Sequence, residues 1–196
     1  MTIVERLAGK NLTFHPGALA LMLLMAATRS SHIGTPFQLP DATLAVFFLG
    51  GLWFGGLRFF VLLLTEAVLI DFVAISFFSV SDFCVSPAYV FLLPAYAALW
   101  FAGKSCARIE AQTLKTLSIQ FVVLLASTTI AFLISELSFY LLSGRYDTLS
   151  WADKFNKMLD FYPIYIQSTL IYGTFIFATV MMIRSLFLSK TASKNI

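Results

Sequence analysis

Six apolar runs follow one another along the chain with little between them. They extend from Pro16 to Ile33, Pro40 to Leu57, Phe59 to Val80, Pro87 to Gly103, Leu117 to Leu142 and Tyr162 to Leu188. A helix that crosses a bilayer needs about 20 mostly apolar residues, because it rises ~1.5 Å per residue through hydrocarbon about 30 Å thick. No water is present there to satisfy backbone N–H and C=O groups, so the backbone must satisfy itself, and a helix does this within one segment. Only 12% of the residues are charged and 59% are apolar, against a charged share of about 25% in a soluble domain. The chain therefore reads as an all-α integral membrane protein, with six transmembrane helices in a single domain over residues 1–196 and no soluble module. The fourth run is short, and Pro94 is expected to kink it. The first run is expected to be retained as a helix, because no small-residue cleavage site follows it.

Orientation follows from the basic residues near the helix ends. With the N-terminus inside, the inner side holds Arg6, Lys10, Arg58, Lys104, Arg108, Lys115, Arg184, Lys190 and Lys194. The outer side then holds only Arg29, Arg145, Lys154 and Lys157. Nine against four places both termini in the cytoplasm of a bacterial inner membrane. The longer connections, "RSSHIGTPFQLPD", "SVSDFCVSP" and "SGRYDTLSWADKFNKMLDFYP", then face outward. No P-loop, dinucleotide fingerprint or nucleic-acid patch is present.

Ionisable residues inside spanning segments are costly and mark functional sites by default. Here they are Arg29, Glu66, Asp71 and Glu136. Asp71 lies nine residues before the end of its run and Glu136 at a similar depth in the fifth, while Arg29 is near the outer end of the first. Three of the four thus sit in the outer half, which predicts a polar cavity open to the outside. A structural ion pair of Arg29 with Asp71 or with Glu136 is the competing expectation. Glu66 precedes Asp71 by five positions, and at about 100° per residue the two carboxylates point apart.

The two thiols, Cys84 and Cys106, fall at opposite membrane faces and cannot pair. Without a C-x-x-C, a dithiol redox enzyme is excluded. Cys106, at a helix end, reads as an inert interfacial residue. Cys84 lies in the outer stretch "SVSDFCVSPAYVF" among aromatic side chains. A catalytic cysteine needs a base, and of the two histidines His15 is on the inner side, whereas His32 sits in the first outer loop. A cysteine hydrolase or transpeptidase using Cys84 and His32 is one reading. Structural zinc is excluded, because it takes four Cys or His ligands and the outer face offers one of each. A lone thiolate suits a different task, as one axial ligand to a metal already held by a flat macrocycle. Outer-loop rings, among them Phe37, Phe83, Tyr89, Tyr146, Trp151 and Tyr162, would then cover the macrocycle. An interfacial aromatic belt explains the same rings without a ligand, and a small membrane scaffold is the third reading.

Six short helices in about 200 residues, with a site among the outer loops, resemble the S-components of energy-coupling-factor (ECF) vitamin transporters. The helical Asp71 and the stretch "DFCVSPAY", which puts Cys84 and Tyr89 thirteen and eighteen residues later, resemble the BtuM family of vitamin B12 uptake proteins from Gram-negative bacteria. The "TPFQLPDA" loop, Thr35 to Ala42, also fits. The resemblance implies an S-component-like bundle that binds the corrinoid cobalamin on the periplasmic side for uptake. Cys84 would be the ligand to cobalt and the centre of any decyanation of cyanocobalamin. Asp71 and Tyr89 would contact the corrin or orient the loop, with Phe83, His32 and Tyr162 also at the site. S-components commonly dock on their partner through small residues four apart on the first helix. Here Met22 stands between Ala18 and Ala26, which argues against an energy-coupling module and leaves open transport by the protein alone.

The charge count has a direct test. A reporter fused after Ile196 is expected to be active only in its cytoplasmic form, and a periplasmic C-terminus would reverse the assignment of every loop.

Overall fold

A computed structural model describes residues 15–29, 39–109 and 114–193. The described chain is built from helices: α1 (Pro16–Arg29), α2 (Thr43–Trp53), α3 (Leu57–Phe78), α4 (Leu92–Cys106), α5 (Leu114–Leu142) and α6 (Trp151–Ser193). Two short 3-10 turns, Asp82–Cys84 and Pro87–Phe91, bridge α3 and α4. Three helices are long and apolar enough to cross a membrane: α3, α5 from Lys115, and α6 as far as Val180. The 22 residues of α3 rise about 33 Å, close to the hydrocarbon thickness. Helices α1 and α2 are apolar but shorter, with 14 and 11 residues.

Helix α2 is the centre of the fold. Every residue from Thr43 to Leu52 except Leu44 is buried, as expected of a helix apolar on all its faces. Phe47 stacks on Tyr96 of α4 with ring centroids 4.3 Å apart, and Trp100 meets Phe59 and Phe60 of α3. Two glycines set how closely α2 and α4 approach. A Cβ on Gly51 would strike the Trp100 carbonyl, and one on Gly103 would strike the Phe48 carbonyl. The contact is reciprocal, backbone against backbone, as small residues permit where helices pack within a membrane.

Three segments differ from the sequence expectations. Pro94 is the third residue of α4, so it does not kink a helix midway. It sits where the 3-10 turn Pro87–Phe91 gives way to α geometry, in a first turn whose N–H groups have few helical partners. The long connection after α5 is mostly helix, because α6 begins at Trp151 and leaves only Ser143–Ser150 as loop. Ser150 caps it. The Ser150 hydroxyl accepts from the Asp153 N–H at 3.2 Å and donates to the Asp153 carboxylate at 2.6 Å, a pairing close to a capping box. Pro163 then lies within α6, which membrane helices tolerate when neighbours satisfy the freed carbonyl. Finally, Ala18 is buried in the core, while Met22 and Ala26 line a groove against α3. The Ala18–Met22–Ala26 row is therefore not one outward surface.

Gly51→Ala and Gly103→Ala each place a methyl group into a backbone carbonyl, and overpacking of this kind costs about 1–3 kcal/mol or more. Each variant is expected to lower the unfolding temperature of the detergent-purified protein clearly, whereas Gly144→Ala, with open space around it, should be limited to the strain of its positive φ of 70°. Equal melting of wild type and Gly51→Ala would contradict the packing described.

Candidate functional site

At one end of the bundle, Asp71 of α3 gathers five elements. Arg29 at the end of α1 donates from Nε to Asp71 Oδ1 at 2.7 Å and from Nη2 to Oδ2 at 2.6 Å. Tyr89 in the second 3-10 turn donates its hydroxyl to Oδ2 at 2.6 Å. The remaining arm of Arg29 donates to Tyr96 of α4 at 2.9 Å and to Thr43 of α2 at 3.2 Å. The Arg29 side chain is 9% exposed and that of Asp71 25%. Such a pair persists only when its geometry is good and the remaining donors are satisfied, and here each arm has a partner. Of the two pairings open from the sequence, Arg29 therefore takes Asp71. Glu136 accepts instead from the Tyr165 hydroxyl of α6, at 3.3 Å.

Among the described residues, the ionisable groups at this end are held in a hydrogen-bonded network. The space beside Arg29, Tyr89 and Tyr96 is about 200 Å³ and is otherwise lined by aliphatic side chains such as Leu64, Val68 and Leu92. Both Asp71 oxygens are engaged within the protein. Glu66 lies apart, in a groove between α1 and α3, and its Oε2 has no hydrogen-bond partner among the described residues.

The Cys84 segment hangs from this network. Ser79 closes α3 in the left-handed conformation, with φ 55°, and its N–H returns to the Ala74 carbonyl. Ser81 then accepts from the Phe83 N–H at 3.2 Å and Ser86 from the Ala88 N–H at 3.3 Å, so each serine caps one 3-10 turn. Cys84 is the last residue of the first turn and is exposed; Cys106 is buried at the far end of α4. Tyr89 fixes the second turn to Asp71, five residues beyond the thiol. The side chains around the turn withhold part of the hydration of the exposed thiol and raise the Cys84 pKa above the usual thiol value; the charges of Glu136 and Asp71 add to this and Arg145 opposes it. Unliganded, Cys84 is accordingly a thiol at neutral pH.

An aromatic layer lies beside the thiol. Phe83 meets Phe139 at 5.7 Å and Tyr146 at 6.5 Å, and the Arg145 guanidinium covers its face at 4.4 Å. Tyr140 continues the layer to Met158, with Tyr146, Tyr162 and Tyr165 around them. Tyr162 packs its ring edge on Phe132 at 5.3 Å and shares a 2.9 Å hydrogen bond with Thr129. Cys84, Phe83, Asp71 and Tyr89 are thus brought to one end of the molecule, with Tyr162 deeper in the ring layer between α5 and α6. His32 and Phe37 lie outside the described residues. His15 precedes α1 at the opposite end, where its Nδ1 accepts from the Gly17 N–H and its ring packs on Phe54.

Two participants were missed from the sequence. Tyr96 stands inside an apolar run, and a hydroxyl buried there needs a partner, which was the available signal. Arg145 was weighed only as an outer charge. No three His, Cys, Asp or Glu residues among those described form a site for a bare metal ion.

Fold and site together define a helical protein with membrane-spanning helices and a single exposed thiol held over an aromatic layer. No protein-family model matches the chain, and no curated protein matches it in sequence.

The ion pair has a measurable signature. Asp71→Asn leaves Arg29 buried without its counter-charge, a loss of about 3–5 kcal/mol where both groups are buried. Tyr89→Phe removes one hydrogen bond to a charged group, about 1.5–3 kcal/mol. The expected order of thermal stability in detergent is wild type, then Tyr89→Phe, then Asp71→Asn. Arg29→Met combined with Asp71→Asn is expected to recover part of the loss, and additive losses in the double variant would contradict a coupled pair.

Proposed function

We propose that this chain is a cobalamin-binding uptake protein of the bacterial inner membrane, built like the S-components of ECF vitamin transporters and similar to the BtuM family. In this reading the six helices form one membrane bundle with both termini cytoplasmic; α3, α5 and α6 are long enough to cross, and the shorter α1, α2 and α4 pack among them within the bilayer. The corrin lies on the periplasmic surface against the Cys84 turn and the Phe83–Tyr146 layer, and Cys84 is the ligand to cobalt. The uptake step runs with or without an energy-coupling module. The observation that carries the reading is the position of Cys84: an exposed thiol at the end of a capped 3-10 turn, anchored through Tyr89 to the Asp71–Arg29 pair. Asp71 and Tyr89 then serve by orienting the loop, since both Asp71 oxygens are occupied. The alternative is a cysteine hydrolase or transpeptidase, whose base at Cys84 would be His32, outside the described residues.

Ligation has a chemical consequence. In cyanocobalamin the cobalt holds cyanide on one face and the nucleotide base on the other. For sulfur to bind, one of them must leave. When the base leaves, a Co–S bond replaces the Co–N bond, and the donating sulfur weakens the bond to cyanide opposite. Cyanide departs with its electron pair, takes up the proton released by the thiol and leaves as hydrogen cyanide, while water fills its place. Cobalt keeps its oxidation state, so no reductant is needed.

The test is the visible spectrum of cyanocobalamin mixed with purified wild type and with Cys84→Ser. A change with wild type that the serine variant does not reproduce is expected, because serine offers a hard oxygen of far higher pKa. A wild-type spectrum identical to the free vitamin would refute the cobalt–sulfur bond. The pH dependence has a definite sign. The thiol pKa is raised and ligation releases a proton, so the rate of the change is expected to increase as pH rises from 6 toward the thiol pKa.

A further inference from the structure

The Cys84 end carries cations that the Asp71 network does not use, Arg145, Lys154 and Lys157, and Arg145 is the one laid against a neighbour of the thiol. Arg145 lies in the short loop Ser143–Ser150 between α5 and α6 and is exposed. Its guanidinium rests over the face of Phe83, the neighbour of Cys84, at 4.4 Å. Its charge is close enough to act on the thiol. No carboxylate forms an ion pair with it among the described residues, where the only such pair is Arg29–Asp71. The loop gives it a defined place: Gly144 turns the chain with φ 70°, and the Arg145 N–H donates to the Ser143 hydroxyl at 3.3 Å. Lys154, the other basic side chain against this layer, is buried and lies over the Trp151 ring at 5.1 Å.

A guanidinium over an aromatic face spends none of its N–H groups on that contact. They form a planar fork suited to two oxygens of one phosphate. Stacking also removes part of the side-chain entropy that an exposed arginine would otherwise lose on binding. Glu136, Asp71 and Arg145 are the charges that act on the thiol, and of these only Arg145 is a cation outside the Asp71 network. Cobalamin has the complementary arrangement: a cationic cobalt centre and, on a tether from the ring edge, one phosphodiester as its anion. Once the nucleotide base has left cobalt, that tether is free to reach the rim.

We infer that Arg145 is a specificity residue of this site, which recognises the phosphodiester of the ligand's nucleotide tail while Phe83 holds the guanidinium in place. This rests on the cobalamin reading above and adds the part of the ligand that the protein distinguishes. It makes the chain a reader of complete corrinoids over those lacking the tail.

The experiment compares binding of cobalamin and of cobinamide, which has the corrin and cobalt but no phosphodiester, by titration of the detergent-purified full chain. Wild type is expected to prefer cobalamin, with a preference that shrinks as salt is raised. Arg145→Gln is expected to lose about tenfold more in cobalamin affinity than in cobinamide affinity; retained cobinamide binding also shows that the loop is intact. Arg145→Lys, which keeps the charge but not the fork, should recover only part. Equal losses for both ligands would make Arg145 a structural clamp on Phe83 and overturn the inference, as would no loss for either. If wild type binds neither corrinoid, the cobalamin reading itself fails. That result is distinct from wild-type binding of both with no effect of the substitution.

Discussion

The buried pair of Arg29 and Asp71 is the interaction on which the arrangement of this end of the molecule depends. Neither charge would be tolerated alone in an apolar bundle, since each loses several kcal/mol of hydration. Their pairing forces α1 and α3 together, and the spare donors of Arg29 then recruit Thr43 of α2 and Tyr96 of α4. Tyr89 completes the shell from the α3–α4 connection. Satisfying one buried cation thus sets the relative positions of four helices and one loop. The same requirement explains why the polar groups are enclosed: a network completed within the protein leaves little for a cavity to offer a ligand.

Cys84 is placed by a different kind of constraint. Cys84 has no side-chain partner of its own among the described contacts. Its position comes from backbone turns capped by Ser81 and Ser86, from the left-handed Ser79 that ends α3, and from the anchor at Tyr89. A rigid scaffold carrying an exposed functional residue on a short connection is a common division of labour. Phe83, the residue before the thiol, joins that turn to the rings of α5 and the following loop. The thiol therefore lies between a polar anchor on one side and an aromatic floor on the other.

Much of the fold was legible from hydrophobicity alone. The runs containing α3 and α5 could only be helices, and their ends fall close to where apolar character stops. The start of α6 was not read, because "WADKFNKMLDFYP" is too polar to count as a membrane run. Of the candidate site, Asp71 was legible as a charge within an apolar run and Cys84 as a thiol in a polar connection, whereas the pairing of Asp71 with Tyr89 came only from the family resemblance. The choice of Asp71 over Glu136 as the partner of Arg29 was not legible, since both lie at similar depth and a one-dimensional reading gives no rotation about the bundle axis.

The sequence by itself determined that the chain is helical and apolar enough for a membrane, that its two thiols cannot pair, and that buried charges must find partners. These follow from composition and from the period of a helix, which are local properties. Only the tertiary structure decided which partners they find and how closely the helices approach. Gly51 and Gly103 are unremarkable letters until α2 and α4 cross, when the lack of a side chain lets each backbone touch the other. Tyr96 and Arg145 likewise gained a role only when residues 67 and 62 positions away, Arg29 and Phe83, came within reach. Hydrogen bonds and ring contacts act over a few ångströms in space, and separation along the chain does not encode that distance.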